Sequence, residues 1–392
     1  MYKPKQKFLH LEIAALLFLA YALPMLFAKY LGADVKGVDT VLLQVDPILV
    51  LSLYIVCFFS FSIPSFFAIG NSYWRDVKIG FGIDLVKTFN LFVAIFFVLS
   101  KIYIYKYVST DGYGFDTGAI NDPVWTFSMF LSEVVLLFSV MWLANGNGGL
   151  FVLNLILLQL NLIHGTRIYL MVAMVFVFSI VLRRLSVLRM IVYTAILLLI
   201  FVFFSYLIFL FRHDSFSDGV SLDVQWILSP VLIESVFSQW SLINVISNNY
   251  YFEKTEFLNF IIDPLLYSLP RFAFPEKEQL LLAIDPNISP LGAMNGIAAS
   301  LIYLGYLFPL YWVVWGGLGA LLLIGARNNY WIRVLYLIFS FNLMLRLMRD
   351  GYVLPAKVFI NDFVFVLFFY LILAVIKFAV KSPSSSCAEY KL

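Results

Sequence analysis

Apolar residues along this chain arrive in blocks of about 20, the length that spans a bilayer, with polar residues gathered between the blocks. A backbone in lipid has no water to bond, so a spanning block closes its own hydrogen bonds as an α-helix. Ten blocks stand out, near 10–31, 47–69, 84–105, 124–143, 149–165, 168–182, 190–211, 300–324, 332–348 and 358–378. The fifth and sixth are short and parted only by His164-Gly165-Thr166-Arg167. The stretch 225–246 is also apolar, but Pro230, Glu234 and several Ser and Gln residues make it a poor span. We read it as a helix in or near the membrane interface, with one face against the bundle. The pattern predicts an all-α polytopic membrane protein with about ten transmembrane helices in one domain over residues 1–392.

Composition agrees with the pattern: 62% of residues are hydrophobic and 12% are charged, against roughly 25% charged in a soluble domain. The net charge of +3 is too small to point to nucleic acid, and the basic residues have a topological reading. Lys3, Lys5 and Lys7 precede the first block, which places the N-terminus in the cytoplasm. Alternate loops then carry Arg75 and Lys78, Arg183, Arg184 and Arg189, Arg327 and Arg333, and finally Lys381 and Lys391. The expected inside segments are thus basic except for the turn Asn145–Gly149, which supports an even number of crossings with both termini inside. The first block is too long for a signal-peptide core and reads as a retained anchor. Cys57 and Cys387 fall far apart, so no disulfide framework is implied. The Ser-rich tail over 382–392 reads as disordered and cytoplasmic.

The seventh and eighth blocks are separated by a long outer loop, 212–299. It carries Trp226, Trp240, Tyr250, Tyr251, Phe252, Phe257 and Phe260, and is punctuated by Pro264, Pro270, Pro275, Pro286 and Pro290. So aromatic a segment should fold down onto the bundle as short helices and turns, and long ordered loops over a fixed scaffold commonly carry function.

Five arginines lie on this outer side, against the usual bias. Arg167 opens the sixth block, Arg212 closes the seventh, Arg271 sits in the loop, and Arg346 and Arg349 end the ninth. A guanidinium stays charged and pairs two oxygens at once, which suits a diphosphate. Singly, each could instead be an interface anchor. Arg346 and Arg349 share a helix face at i, i+3, where pairing to Asp350 or Asp362 is the alternative. His164 and His213 are candidate polar groups, with a hydrogen-bonded structural histidine as the plain reading of each.

Several chemistries lack their residues. The chain has no HExxH, no Cys/His cluster, no phosphate-cradling Gly-rich loop and no GxSxG. Asp34, Asp39, Asp111 and Asp116 are scattered as solvated loop residues are, so neither a metal nor another cofactor is expected. Glu133 alone reads as a carboxylate deep in a helix, a weak signal of transport.

Three segments carry a resemblance to the Wzy-type oligosaccharide repeat-unit polymerases of bacterial O-antigen and capsule assembly. His164-Gly-Thr-Arg167-Ile-Tyr resembles that family's Gly-Ser/Thr-Arg opening of a middle helix. Pro270-Arg271-Phe-Ala-Phe-Pro275-Glu276-Lys277 is similar to its Pro-Arg…Pro-x-Lys loop element. Ser289-Pro290-Leu-Gly292 followed by Ile302-Tyr303-Leu-Gly305 looks like its Pro…Tyr-x-x-Gly entry to the next helix, and Arg346 and Arg349 fit its late arginines. The family often has an acidic residue before that Tyr-x-x-Gly, where this chain has Ala298, Ala299 and Ser300.

The resemblance implies a multi-pass enzyme of the bacterial inner membrane on a GT-C-like scaffold, with the 212–299 loop periplasmic. Its substrates would be two undecaprenyl-diphosphate-linked oligosaccharides, a growing chain as donor and a repeat unit as acceptor. It further implies a chain-length regulator and a flippase as partners. Arg167, Arg212, Arg271, Lys277, Arg346 and Arg349 would hold the diphosphate and offset its charge as it leaves, without a metal. His213, Asp214 and Glu276 are the candidate bases, with His164 and Tyr303 as further site residues. The alternatives are a related glycan ligase, a flippase for lipid-linked oligosaccharide, from another class, and a membrane acyltransferase that modifies sugars.

Overall fold

The computed structural model describes residues 9–31, 45–68, 82–108, 122–164, 168–177, 238–250, 257–269 and 294–381, with a few single residues between them. In these residues the chain is helical, and an isolated bridge between Met294 and Asp350 is its β-type pairing. The elements are α1 (Leu9–Leu31), α2 (Pro47–Phe67), α3 (Ile83–Tyr107), α4 (Pro123–Asn145), α5 (Gly148–Leu158) running into a 3-10 turn (Gln159–His164), and α6 (Ile168–Phe176). Then come α7 (Phe257–Ser268), α8 (Gly296–Leu304), α9 (Phe308–Ala326), α10 (Tyr330–Ile338), a π segment (Phe339–Leu343), α11 (Met344–Arg349) and α12 (Val353–Lys381).

Six described stretches are long and apolar enough to cross a membrane: Pro47–Phe67, Ile83–Tyr107, Pro123–Asn145, Gly296–Ala326, Tyr330–Arg349 and Val353–Phe378. Leu9–Ala22 and Gly148–Leu162 are shorter apolar helices. The chain is therefore an all-helical, membrane-embedded polytopic protein. Most of the seventh expected block lies outside the described residues, as do the start of the 212–299 loop and the tail.

Local chemistry sets the helix starts. Asp46 and Asp122 each precede a proline, and each carboxylate accepts the first free backbone N–H groups of its helix, Ile48 at 2.9 Å and Val124 at 2.7 Å. Proline costs nothing there, because the first N–H of a helix is unpaired anyway. Gly146, at φ 79°, closes α4, and Asn147 caps α5, so the turn expected at Asn145–Gly149 is a tight helical hairpin. We call this the hairpin end of the bundle and the opposite end the loop end.

The eighth expected block departs from a straight span. Gly305 takes φ 54° between α8 and α9, and Gly296 at the start of α8 lies against the Trp312 ring in α9. A straight helix would hold those residues about 24 Å apart. The stretch is therefore broken into a short, wholly buried helix, α8, and α9, with the chain changing direction at Gly305 near the loop end. Such a buried helix start needs partners. Asn295 caps it, donates its amide to the Tyr54 hydroxyl at 2.7 Å and donates its backbone N–H to the Ser241 hydroxyl oxygen at 2.8 Å. Ser241 belongs to a helical stretch at 238–247, whose Ser238, Gln239, Leu242, Ile243 and Val245 are buried and whose Gln239 amide donates to the Tyr21 carbonyl. The interfacial helix expected over 225–246 is thus, in its described part, inserted among the helices.

Two glycines bring backbones together. A Cβ on Gly316 in α9 would collide with the Phe61 carbonyl in α2, and one on Gly296 with the Leu347 carbonyl in α11. The α10–α11 stretch is almost wholly buried, whereas α3 and α12 keep most of their surface outward. The core therefore sits around α10–α11, and α3 and α12 border lipid.

Candidate functional site

The chain's buried charge converges where α4, α6, the π segment, α11 and α12 meet. Glu133 lies ten residues into α4, about 15 Å from its start, where an unpaired carboxylate would be very costly. It is not unpaired. Arg346 forms an ion pair with it, the Tyr169 hydroxyl donates to its Oε1 at 2.8 Å, and the Asn342 amide donates to its Oε2 at 3.4 Å. Arg346 also donates from Nε to Asn342 Oδ1 at 3.0 Å and reaches Asp350 at 3.7 Å. Asp362 on α12, 4% exposed, faces both Glu133 and Arg346.

The π segment explains how Asn342 can serve both neighbours. Its wider turn shifts helix phase over Phe339–Leu343, and such turns are frequent at functional sites. Asn342 Nδ2 is thereby set on the carboxylate and Oδ1 on the guanidinium, a polar clasp inside a helix core that is otherwise Phe, Leu and Met.

Nearer the loop end, Met294 N donates to Arg349 O at 3.1 Å. This bond sets the entry to α8 beside the end of α11, two segments 55 residues apart in sequence. Arg349 pairs with Asp350 at 2.9 Å and is partly exposed. Above it, α7 lays Asp263 against Tyr303, whose hydroxyl donates to Oδ2 at 2.9 Å. Phe260 stacks on Tyr352 with ring centroids 4.6 Å apart, and Lys357 lies over the Tyr267 ring at 4.6 Å. Burial, with the Asp263 carboxylate near, pushes the Tyr352 phenol up, so it remains a protonated donor. The Phe257–Ser268 part of the long loop thus folds onto the bundle as a helix, as its aromatic content predicts.

Of the residues singled out from sequence, Tyr303, Arg346 and Arg349 gather at this end. For the two arginines, the carboxylate-pairing alternative is the arrangement present, through Asp350 for both and Glu133 for Arg346. His164 ends the 3-10 turn after α5. Arg167, Arg212, His213, Asp214, Arg271, Glu276 and Lys277 lie outside the described residues.

Sequence reasoning passed over three buried ionisable residues, His10, Lys101 and Asp263, and named Asp362 only as a partner for the arginines. Lys101 and Asp362 fall inside apolar blocks and Asp263 beside a proline, and the pattern that reveals a span averages over a single charge. Their being ionisable at all in such blocks is the signal that could have found them. Glu133 is therefore not the one deep carboxylate.

The chain matches no family model, no curated protein and no solved structure.

Proposed function

We propose that this protein is a membrane glycosyltransferase that polymerises undecaprenyl-diphosphate-linked oligosaccharide units at the periplasmic face of a bacterial inner membrane. The observation that carries the reading is the Met294–Arg349 bond, which joins the Tyr303 segment to the Arg346/Arg349 segment. These two segments resemble the polymerase motifs separately in sequence, and here they share one end of the bundle. In this reading Arg349 joins Arg167, Arg212, Arg271 and Lys277 around the diphosphate. Arg346, already bound to carboxylates, anchors the helix that presents Arg349. The leaving diphosphate is stabilised by fixed guanidinium groups, and His213, Asp214 or Glu276 takes the proton of the acceptor hydroxyl.

One observation favours a second reading, a flippase for lipid-linked oligosaccharide. The cluster of Glu133, Arg346 and Asp362 lies deep between helices, where transporters keep ionisable groups. One experiment separates the two. Purified protein given only lipid-linked repeat unit, with no nucleotide sugar and with chelator present, should make a ladder of longer glycans. Ladder formation only on adding a divalent ion would end the metal-free mechanism. No ladder, together with movement of the lipid-linked unit between leaflets of a proteoliposome, would establish the flippase instead.

A further inference from the structure

Lys101 is the described lysine placed most unlike an interface anchor. It is 3% exposed, so its ammonium does not reach the lipid border as a snorkelling side chain does. Its near neighbour is an aromatic face, the Phe97 ring at 5.3 Å, and among the described residues no carboxylate pairs with it.

Hydrogen bonds between α3, α4 and α5 fix what stands at its level. The Asn154 amide on α5 donates to Asn90 on α3 at 3.1 Å, which locks those two helices side by side. Ser132 on α4 donates to Asn161 at 3.1 Å, and Ser139 to the Phe151 carbonyl at 3.1 Å, which locks α4 to α5 and its 3-10 turn. Measured along the bundle from Asn90, Lys101 stands about 16 Å toward the loop end and Ser128 about 18 Å. Both also face α5. Lys101 is about 20° around the helix from Asn90, and Ser128 about 40° from Ser132, at 3.6 residues per turn.

Ser128 supplies a second observation. It is wholly buried, and its hydroxyl has no hydrogen-bond partner. A buried donor left unmet costs roughly 1–3 kcal/mol, and by this helix geometry it stands near the level of a buried lysine that no described carboxylate pairs with. The nearest carboxylate in sequence, Glu133, follows Ser132 and is therefore turned about 100° away, where Arg346 and Tyr169 hold it. The 3-10 turn ends at His164 and α6 begins at Ile168.

We propose that Lys101 and Ser128, at the junction of α3, α4 and the 3-10 turn, form a subsite for a phosphate group carried by a polyprenyl lipid. Lys101 supplies the charge and Ser128 a hydroxyl donor, and the phosphate satisfies both at once. The exposed apolar face of α3, with Phe92, Phe96, Leu99 and Ile102 outward, borders the membrane in which the prenyl tail lies. Naming the lipid as a substrate of polymerisation rests on the function proposed above; the phosphate subsite itself does not.

The test uses the full chain in phosphatidylcholine nanodiscs with radiolabelled undecaprenyl diphosphate as probe. Lys101→Gln should weaken binding at least tenfold, Lys101→Arg should hold it within threefold, and Ser128→Ala should weaken it severalfold. The unfolding midpoint of Lys101→Gln, read by intrinsic fluorescence, should not fall below that of the parent, which excludes misfolding as the cause. Displacement of the probe by inorganic pyrophosphate would show a subsite open to the free anion, and failure to displace it one reached only by the lipid. Either result supports the proposal. Unchanged binding by Lys101→Gln, or equal displacement by phosphatidylglycerol, would overturn it. Lysine-dependent binding without a glycan ladder would remove the polymerase reading alone, and a ladder with lysine-independent binding would remove this subsite alone.

Discussion

Two buried cations of the bundle, Arg346 and Lys101, are met in opposite ways. Arg346 donates to Glu133 and Asn342 and lies 3.7 Å from Asp350, with Asp362 close by. Lys101, comparably buried, has an aromatic ring and, near its level, an unbonded serine hydroxyl. The first arrangement is an electrostatic unit that ties α4 and α6 to α11. The second has no paired carboxylate among the described residues. A buried cation without a counter-charge is expensive, and an uncompensated charge persists where a ligand uses it. The difference separates architecture from binding more clearly than burial or residue type does.

That contrast can be broken by substitution. The largest effect should come from Glu133→Leu, which strands Arg346 in the core; we expect a loss of about 3–5 kcal/mol, read as a drop in the detergent-solubilised unfolding midpoint. A midpoint within a degree of the parent would mean that Arg346 needs no closed set of partners. Tyr169→Phe removes one hydrogen bond to a charged group while keeping the ring, and should cost about 1.5–3 kcal/mol. Combining it with Glu133→Leu should add almost nothing, since the bond is already gone. Independent, additive losses would show that Tyr169 acts through packing. The smallest effect on stability, and of opposite sign, belongs to Lys101→Met, which should leave the midpoint unchanged or raise it. A clear fall there would place Lys101 with Arg346 among residues that hold the fold.

Much of the architecture was readable in the chain. The blocks at 47–69, 84–105, 124–143 and 332–348 coincide closely with helices, because twenty apolar residues between Asp-Pro or Asn/Gly punctuation leave few other conformations. The block at 300–324 concealed a change of direction. Apolar composition counts residues without sensing direction, and the φ of a single glycine, Gly305, turns the chain. The site was readable in part. Tyr303 and Arg349 were marked as chemistry-bearing, but that a backbone hydrogen bond joins their segments is a fact of tertiary pairing that spacing does not encode. Arg346 was marked for its charge, and only the packing of α4 against α11 supplies the carboxylate that answers it. Lys101 was hidden because a single lysine barely lowers the mean hydropathy of a helix rich in Phe, Leu and Ile.

The glycine joints at Gly316 and Gly296 limit how such a molecule can move. Where side chains separate two helices, the helices can shear past each other as rotamers change. Where a carbonyl rests in the notch of a glycine, sliding by one residue drives a Cβ into that carbonyl. Gly316 against Phe61 mortises α2 to α9, and Gly296 against Leu347 mortises α8 to α11, so each pair has to travel as one piece.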